Sequence, residues 1–174
     1  MDNRTRYAIL GLVIITLIVT VINLQFNRPA REDTIIPPPA TLTINGKEQV
    51  SGIGSYCWNE GFRSTCADYG GIPTPDEPLN AGSQTTAYLS LPVKVPPQEL
   101  SMQVIQVTEN NSLEFRSAGQ LLWSPVVGKE YTLPLESKQD LNLTLEPGLN
   151  VIVVFPDWKK EDNASYGFLV KVQS

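Results

Sequence analysis

The chain has 174 residues, of which 13 are Lys or Arg and 18 are Asp or Glu; it has two Cys and no His, and its formal net charge is −5. Without His there is no Ser-His-Asp or Cys-His constellation, no ordinary general base near neutral pH and no His-containing zinc site, and two Cys cannot build a four-thiolate one. The acidic balance argues against nucleic acid and against an anionic membrane surface, because both are held by basic patches.

Residues 1–6 carry Arg4 and Arg6 against Asp2, and the next run, Tyr7 to Phe26, is YAILGLVIITLIVTVINLQF, without a charge. About 20 residues rising about 1.5 Å each cover roughly 30 Å, the hydrocarbon thickness of a bilayer. The run has no polar stripe, as a soluble helix of that length would, so it reads as a transmembrane helix. Basic residues ahead of it favour a cytoplasmic N-terminus and an extracytoplasmic remainder, a single pass through the cell membrane, although Arg28 and Arg31 keep the bias small. A cleaved signal peptide is the alternative, but it has a shorter apolar run and a small-residue cleavage site, and Phe26-Asn27-Arg28-Pro29 offers none. Gly11, Thr16 and Thr20 give a weak small-residue spacing for helix pairing, and passive anchoring is the preferred reading.

Residues 27–40, NRPAREDTIIPPPA, read as a Pro-rich linker, extended and poor in core residues. Residues 41–174 are long enough for one domain with a real core. Setting aside Arg4, Arg6 and Asp2 leaves 11 basic against 17 acidic residues beyond the apolar run.

In that domain Thr41 to Ile44 alternates, Asn45-Gly46 predicts a hairpin turn, and Lys47 to Ser51 returns. The next stretch, residues 51–75, holds Cys57 and Cys66. In an exported domain such a pair reads as a disulfide. Asn59-Glu60-Gly61 then lies near the tip of a stapled loop. Further strands are expected over Gln84–Val95, with Pro92 at an edge or bulge, and over Leu100–Glu109, Leu113–Arg116, Leu121–Trp123 and Tyr131–Leu133. Leu141 to Leu145 alternates cleanly. Leu149 to Phe155, LNVIVVF, suits a central strand, Pro156 to Ser165 a polar loop, and Tyr166 to Val172 a closing strand. No helical period follows residue 40. Short strands between Gly and Pro turns predict an all-β antiparallel sandwich or barrel.

Gly54-Ser55-Tyr56-Cys57-Trp58, Cys66-Ala67-Asp68 and Gly71-Ile72-Pro73-Thr74-Pro75, together with Leu145-Glu146-Pro147-Gly148, Trp158 and Ser165-Tyr166-Gly167-Phe168, resemble membrane-anchored extracytoplasmic bacterial β-sandwich domains of unknown function. The resemblance implies an immunoglobulin-like sandwich and no assigned activity. Leu145 to Gly148 looks like the E–F corner of such folds, which usually carries a Tyr; Asn150 or its neighbours stand there instead.

Tyr56, Trp58, Phe62, Arg63 and Tyr69 cluster around the stapled loop, and of these Trp58, Phe62, Arg63 and Tyr69 are the candidate binding residues. Rigid aromatics anchor partners and stack on sugar rings. The competing reading is that Tyr56 and Trp58 plug the end of the sandwich. Asp157, Glu161, Asp162 and Asn163 beside Trp158 are oxygen donors of the kind Ca²⁺ takes, but Lys159 and Lys160 stand among them, and a solvated loop is preferred. No catalytic residue, metal ligand or cofactor is assigned. The expected function is a non-catalytic binding or interaction module of the cell envelope, with a protein or glycan partner and no nucleic acid. A carboxylate-dependent glycan hydrolase and a passive spacer are the alternatives.

Overall fold

A computed structural model describes residues 35–108, 113–116, 119–122, 128–159 and 162–173. The apolar run Tyr7 to Phe26 lies outside these residues. Among the described residues no helix is long and apolar enough to cross a membrane. Their regular elements are all strands: β1 (Thr41–Ile44), β2 (Lys47–Val50), β3 (Gly52–Glu60), β4 (Arg63–Ala67), β5 (Ile72–Thr74), β6 (Leu79–Ala81), β7 (Gln84–Ser90), β8 (Glu99–Gln106), β9 (Leu113–Arg116), β10 (Gly119–Leu122), β11 (Lys129–Thr132), β12 (Lys138–Thr144), β13 (Gly148–Lys159) and β14 (Asp162–Val172).

Two sheets face each other, as expected for a sandwich. The first runs β12-β7-β1-β2; the second runs β11-β8-β13-β14-β3-β4, and β6 pairs parallel with β14. All the other pairings are antiparallel among the described residues. Period-two alternation places Leu42, Ile44, Ala87, Leu89, Leu141 and Leu143 on the inner face of the first sheet. They meet Leu100, Met102, Ile152, Val154, Tyr166 and Phe168 of the second, and each is 3% exposed or less. Burying such a side chain stabilises by about 1.5–3 kcal/mol. The run LNVIVVF is the central strand it predicts. Val151 and Val153 point to the opposite face and form a second cluster with Ile105 and Leu169, under Ile72 of β5. That outer face is crossed by a short third sheet, β5-β10-β9.

The Asn45-Gly46 turn forms with φ +53 and +75 and pairs Ile44 with Lys47, as a type I′ hairpin requires. The expected disulfide also forms: Cys57 and Cys66 are directly opposite on β3 and β4, with Cα atoms 4.1 Å apart.

Several expectations are corrected. Strand β7 stops at Ser90, before Pro92, and Leu91 N–H donates instead to the Ser137 carbonyl. The stretch Pro156 to Ser165 is mostly strand rather than loop. The ladder between β13 and β14 merely skips Phe155 and Pro156, where Pro156 has no N–H to give, and resumes at Asp157 opposite Asn163. The Leu145–Gly148 corner is closed without a Tyr: the Asn150 side-chain amide donates to the Glu146 carbonyl at 2.8 Å. Residues 35–40, the end of the Pro-rich stretch, pack on the domain. Ile35, Pro37 and Ala40 are buried, and the Tyr166 hydroxyl donates to the Pro38 carbonyl at 3.1 Å.

That tyrosine makes the domain sensitive to alkali. Burial pushes the Tyr166 phenol well above its usual 10.0, so the folded state holds the proton more tightly than the unfolded chain. The stabilisation is complete below about pH 10, where the unfolded phenol is also neutral, and is lost progressively as pH rises further. Unfolding free energy measured with urea between about pH 8 and pH 11 is expected to fall over the upper half of that window. Tyr166→Phe should flatten the fall; an unchanged slope in the variant would assign it to other groups.

Candidate functional site

The outer face of the second sheet carries a groove of about 1020 Å³. Two cross-strand rungs make its floor. One rung is Glu99, Asp157 and Asn163, in register across β8, β13 and β14. The other is Thr132, Ser101 and Phe155, across β11, β8 and β13. Ser165 and Ser55 continue the lining toward β3, where a bulge sets two β3 residues, Gly54 and Ser55, against Ser165 alone on β14.

One wall is the segment Tyr69 to Ile72, which leads into β5. Its position follows from short local bonds. Tyr69 N–H donates to Ser55 Oγ at 3.0 Å, Ser55 Oγ–H donates to Asp68 Oδ1 at 2.8 Å, and Ser165 Oγ–H donates to the Ser55 carbonyl at 3.2 Å. Strand β5 then lies close over β14 and β3 because Gly167 and Gly52, register partners, have no side chains: a Cβ on either would overlap the Pro73 carbonyl oxygen. Leu133 and Leu135 bound the opposite side.

Glu99, Glu130 and Asp157 line the groove, and no Lys or Arg is among its lining residues. Four buried side-chain oxygens lack a hydrogen-bond partner among the described residues, and one of them is a carboxylate oxygen, Asp157 Oδ1. No group of three or more His, Cys, Asp and Glu among the described residues could hold a metal ion. The oxygens near Trp158 are spent on structure: Asp162 Oδ1 accepts from the Asn59 backbone N–H and Nδ2, and Asn163 Oδ1 accepts from Cys57 N–H. These bonds hold the start of β14 to β3. Glu161 lies outside the described residues.

The four candidate residues do not form one site. Trp58 turns inward and is partly buried against the core, with its ring edge-on to Trp158 at 5.7 Å between centroids; Trp158 Nε1–H donates to the Val95 carbonyl. Together with buried Tyr56 this pair closes one end of the sandwich. Phe62 is fully exposed at the hairpin tip. There Gly61, at φ +65, and Phe62 form the two-residue turn that pairs Glu60 with Arg63, which is also exposed. Tyr69, 48% exposed, lines the groove beyond the other end of the same hairpin, past the five residues of β4, which alone span about 16 Å at about 3.3 Å per residue. The floor residues Glu99, Phe155, Asp157 and Asn163 come from three strands. Only Asp157 and Asn163 carried a sequence signal, as oxygen donors weighed for Ca²⁺ and set aside in favour of a solvated loop.

No family model matches the chain, and no curated protein matches it. Among solved structures it is similar to a chitin-binding domain from Burkholderia pseudomallei, at 12% identity and a TM-score of 0.32, over 56% of this chain and 56% of that one. The match spans little more than half of that domain, and a superposition this loose assigns neither fold family nor ligand.

Proposed function

We propose that this protein is a non-catalytic, membrane-anchored binding module of the cell envelope, with an extracytoplasmic immunoglobulin-like sandwich that takes a glycan in the outer-face groove. The observation that carries the reading is the make-up of the groove. A half-exposed tyrosine ring stands beside Ser, Thr, Asn, Gln and carboxylate side chains on the floor and rim of an open trough. A sugar ring has the same two-sided character, an apolar face and a rim of hydroxyls, so it meets a ring and hydrogen-bonding partners together. The floor is a β-sheet braced by a disulfide, so little order has to be bought on binding. The two facing antiparallel sheets support the sandwich part of this reading, and the charge-free run Tyr7 to Phe26 supports the anchor. The hairpin tip with Phe62 and Arg63 lies outside the groove and has no part in this binding.

Retention on a panel of insoluble envelope and cell-wall polysaccharides tests the reading. Tyr69→Ala is expected to weaken retention on the bound polysaccharide by on the order of tenfold, about 1.4 kcal/mol. Its melting temperature should match wild type, because the ring is half in water. Equal retention of both proteins on every polysaccharide would sink the glycan reading. One observation favours a hydrolase instead: Glu99 and Asp157 are neighbours in the groove. They stand side by side on one floor, whereas a glycosidase places its two carboxyl groups on either flank of the scissile bond. Release of new reducing ends from the retained polysaccharide, lost in Asp157→Asn, would replace the binding reading with that one.

A further inference from the structure

We propose that the free edge of β12 is a self-association surface, on which a second copy of this chain adds its own β12 in antiparallel register about Leu141. The first sheet ends in β12, whose seven residues, KQDLNLT, pair with β7 without a register shift. The other edge strands among the described residues are three to five residues long. Native sheets blunt a free edge with short strands, proline, bulges or inward-pointing charge, and β12 has none of these. Its single lysine stands at the first position.

The direction of its backbone groups follows from the bonds just beyond each end. Leu91 N–H donates to the Ser137 carbonyl, and Leu145 N–H donates to the Ser83 carbonyl. Hydrogen-bonded pairs alternate along an antiparallel ladder, so Gln139, Leu141 and Leu143 are the residues that bond to β7. Lys138, Asp140, Asn142 and Thr144 turn their N–H and carbonyl groups to the open side, and their side chains are exposed. No strand among the described residues pairs with that side.

The same edge, turned by a two-fold axis, fits it. With Leu141 facing the partner's Leu141, every outward residue finds a counterpart. Lys138 meets the partner's Thr144, and Asp140 meets the partner's Asn142, each pair exchanging both backbone hydrogen bonds. The side chains agree with this register. Thr86 Oγ1–H donates to Asn142 Oδ1 at 3.3 Å, so the amide gives its acceptor to β7 and keeps its NH₂ for a neighbour. That neighbour is the carboxylate of the partner's Asp140, and symmetry forms this charge-assisted hydrogen bond twice. Centring the pairing on Asp140 would set two carboxylates face to face. Centring it on Gln139 or Asn142 would leave part of the strand unpaired. Charge and length therefore select one register.

The test is the molar mass of the full 174-residue chain in density-matched detergent, measured by sedimentation equilibrium. A concentration-dependent equilibrium between monomer and dimer is expected. Asn142→Pro should leave the chain folded and monomeric, because the N–H it removes is one that β7 does not use. Asn142→Asp sets two carboxylates opposite one another and should weaken dimerisation by on the order of tenfold. Asp140→Asn/Asn142→Asp exchanges the two side chains and should restore it. Ser64→Asp adds the same charge to exposed β4 and should leave the dimer unchanged, which separates register from net charge. A wild-type chain that stays monomeric at every concentration overturns the inference and leaves the edge to a strand of another protein. Dimers that persist undiminished in Asn142→Pro and Asn142→Asp also overturn it, by placing the contact elsewhere in the chain. Failure of the exchange variant to regain the dimer overturns the register.

Discussion

Gly167→Ala is expected to lower the melting temperature by about 10 °C and to weaken ligand binding in the same variant. Gly167 sits on the outer face of β14 beside Gly52 of β3, and β5 passes directly over the pair. An added Cβ would overlap the Pro73 carbonyl oxygen and stand 3.0 Å from Ile72 Cγ2. The methyl of Ile72 can rotate; the carbonyl cannot, because it belongs to a strand bonded to β10. Overpacking of this kind costs about 1–3 kcal/mol, and against a fixed backbone group the upper end applies. The lower unfolded-state entropy of Ala offsets only about 0.4–1 kcal/mol. Since β5 continues from the Tyr69–Ile72 wall, its displacement also opens the groove. Gly82→Ala is the control, because a Cβ there meets nothing nearer than 3.4 Å. A Gly167→Ala protein that melts with wild type would show that the close approach of β5 does not hold that wall.

Gln49→Leu is expected to be at least as damaging, at about 3–5 kcal/mol. Gln49 comes from β2 of the first sheet and is 7% exposed, and its side chain completes the second sheet. Along one edge of β14 the antiparallel partner β3 ends at Gly52, opposite Gly167, and the parallel partner β6 begins at Leu79, opposite Val170. Leu169 falls in the gap. Gln49 Nε2–H donates to the Leu169 carbonyl at 3.1 Å, and Leu169 N–H donates to Gln49 Oε1 at 3.0 Å, so the amide stands in for the missing strand. The same Nε2 donates to the Glu77 carbonyl at 2.7 Å. Leucine preserves the bulk and leaves three backbone groups unpaired, each costing about 1–3 kcal/mol where water is excluded. Denaturant titration gives the total, and exchange of the Leu169 amide with solvent locates it. A loss under about 1 kcal/mol with Leu169 still protected would mean that water or a shifted β6 replaces the amide.

Gln49 also shows where sequence reading runs out. In Lys47-Glu48-Gln49-Val50 nothing marks the glutamine as buried; its neighbours are exposed, and its partners lie in segments far along the chain. Trp58 is a second case. Beside a disulfide it reads equally as an anchor for a partner or as a plug, and only its contact with Trp158 shows which way the ring turns. Asp157 and Asn163 read together as members of one solvated loop, yet they are register partners on opposing strands. Both line the groove, and Asn163 also ties β14 to β3.

What the amino-acid order determined unaided was local. Turn chemistry at Asn45-Gly46, strict alternation in Leu141 to Leu145, the doubly apolar run at Leu149 to Phe155 and the spacing of Cys57 and Cys66 each depend on residues a few positions apart, and each predicted its element. Only the tertiary structure decided the groove. Strand order and register are set by which apolar faces pack together, and that packing puts Glu99 opposite Asp157, lays β5 over Gly52 and Gly167, and brings Tyr69 to the rim. No short window of sequence holds those neighbours, because they meet only once the core has closed.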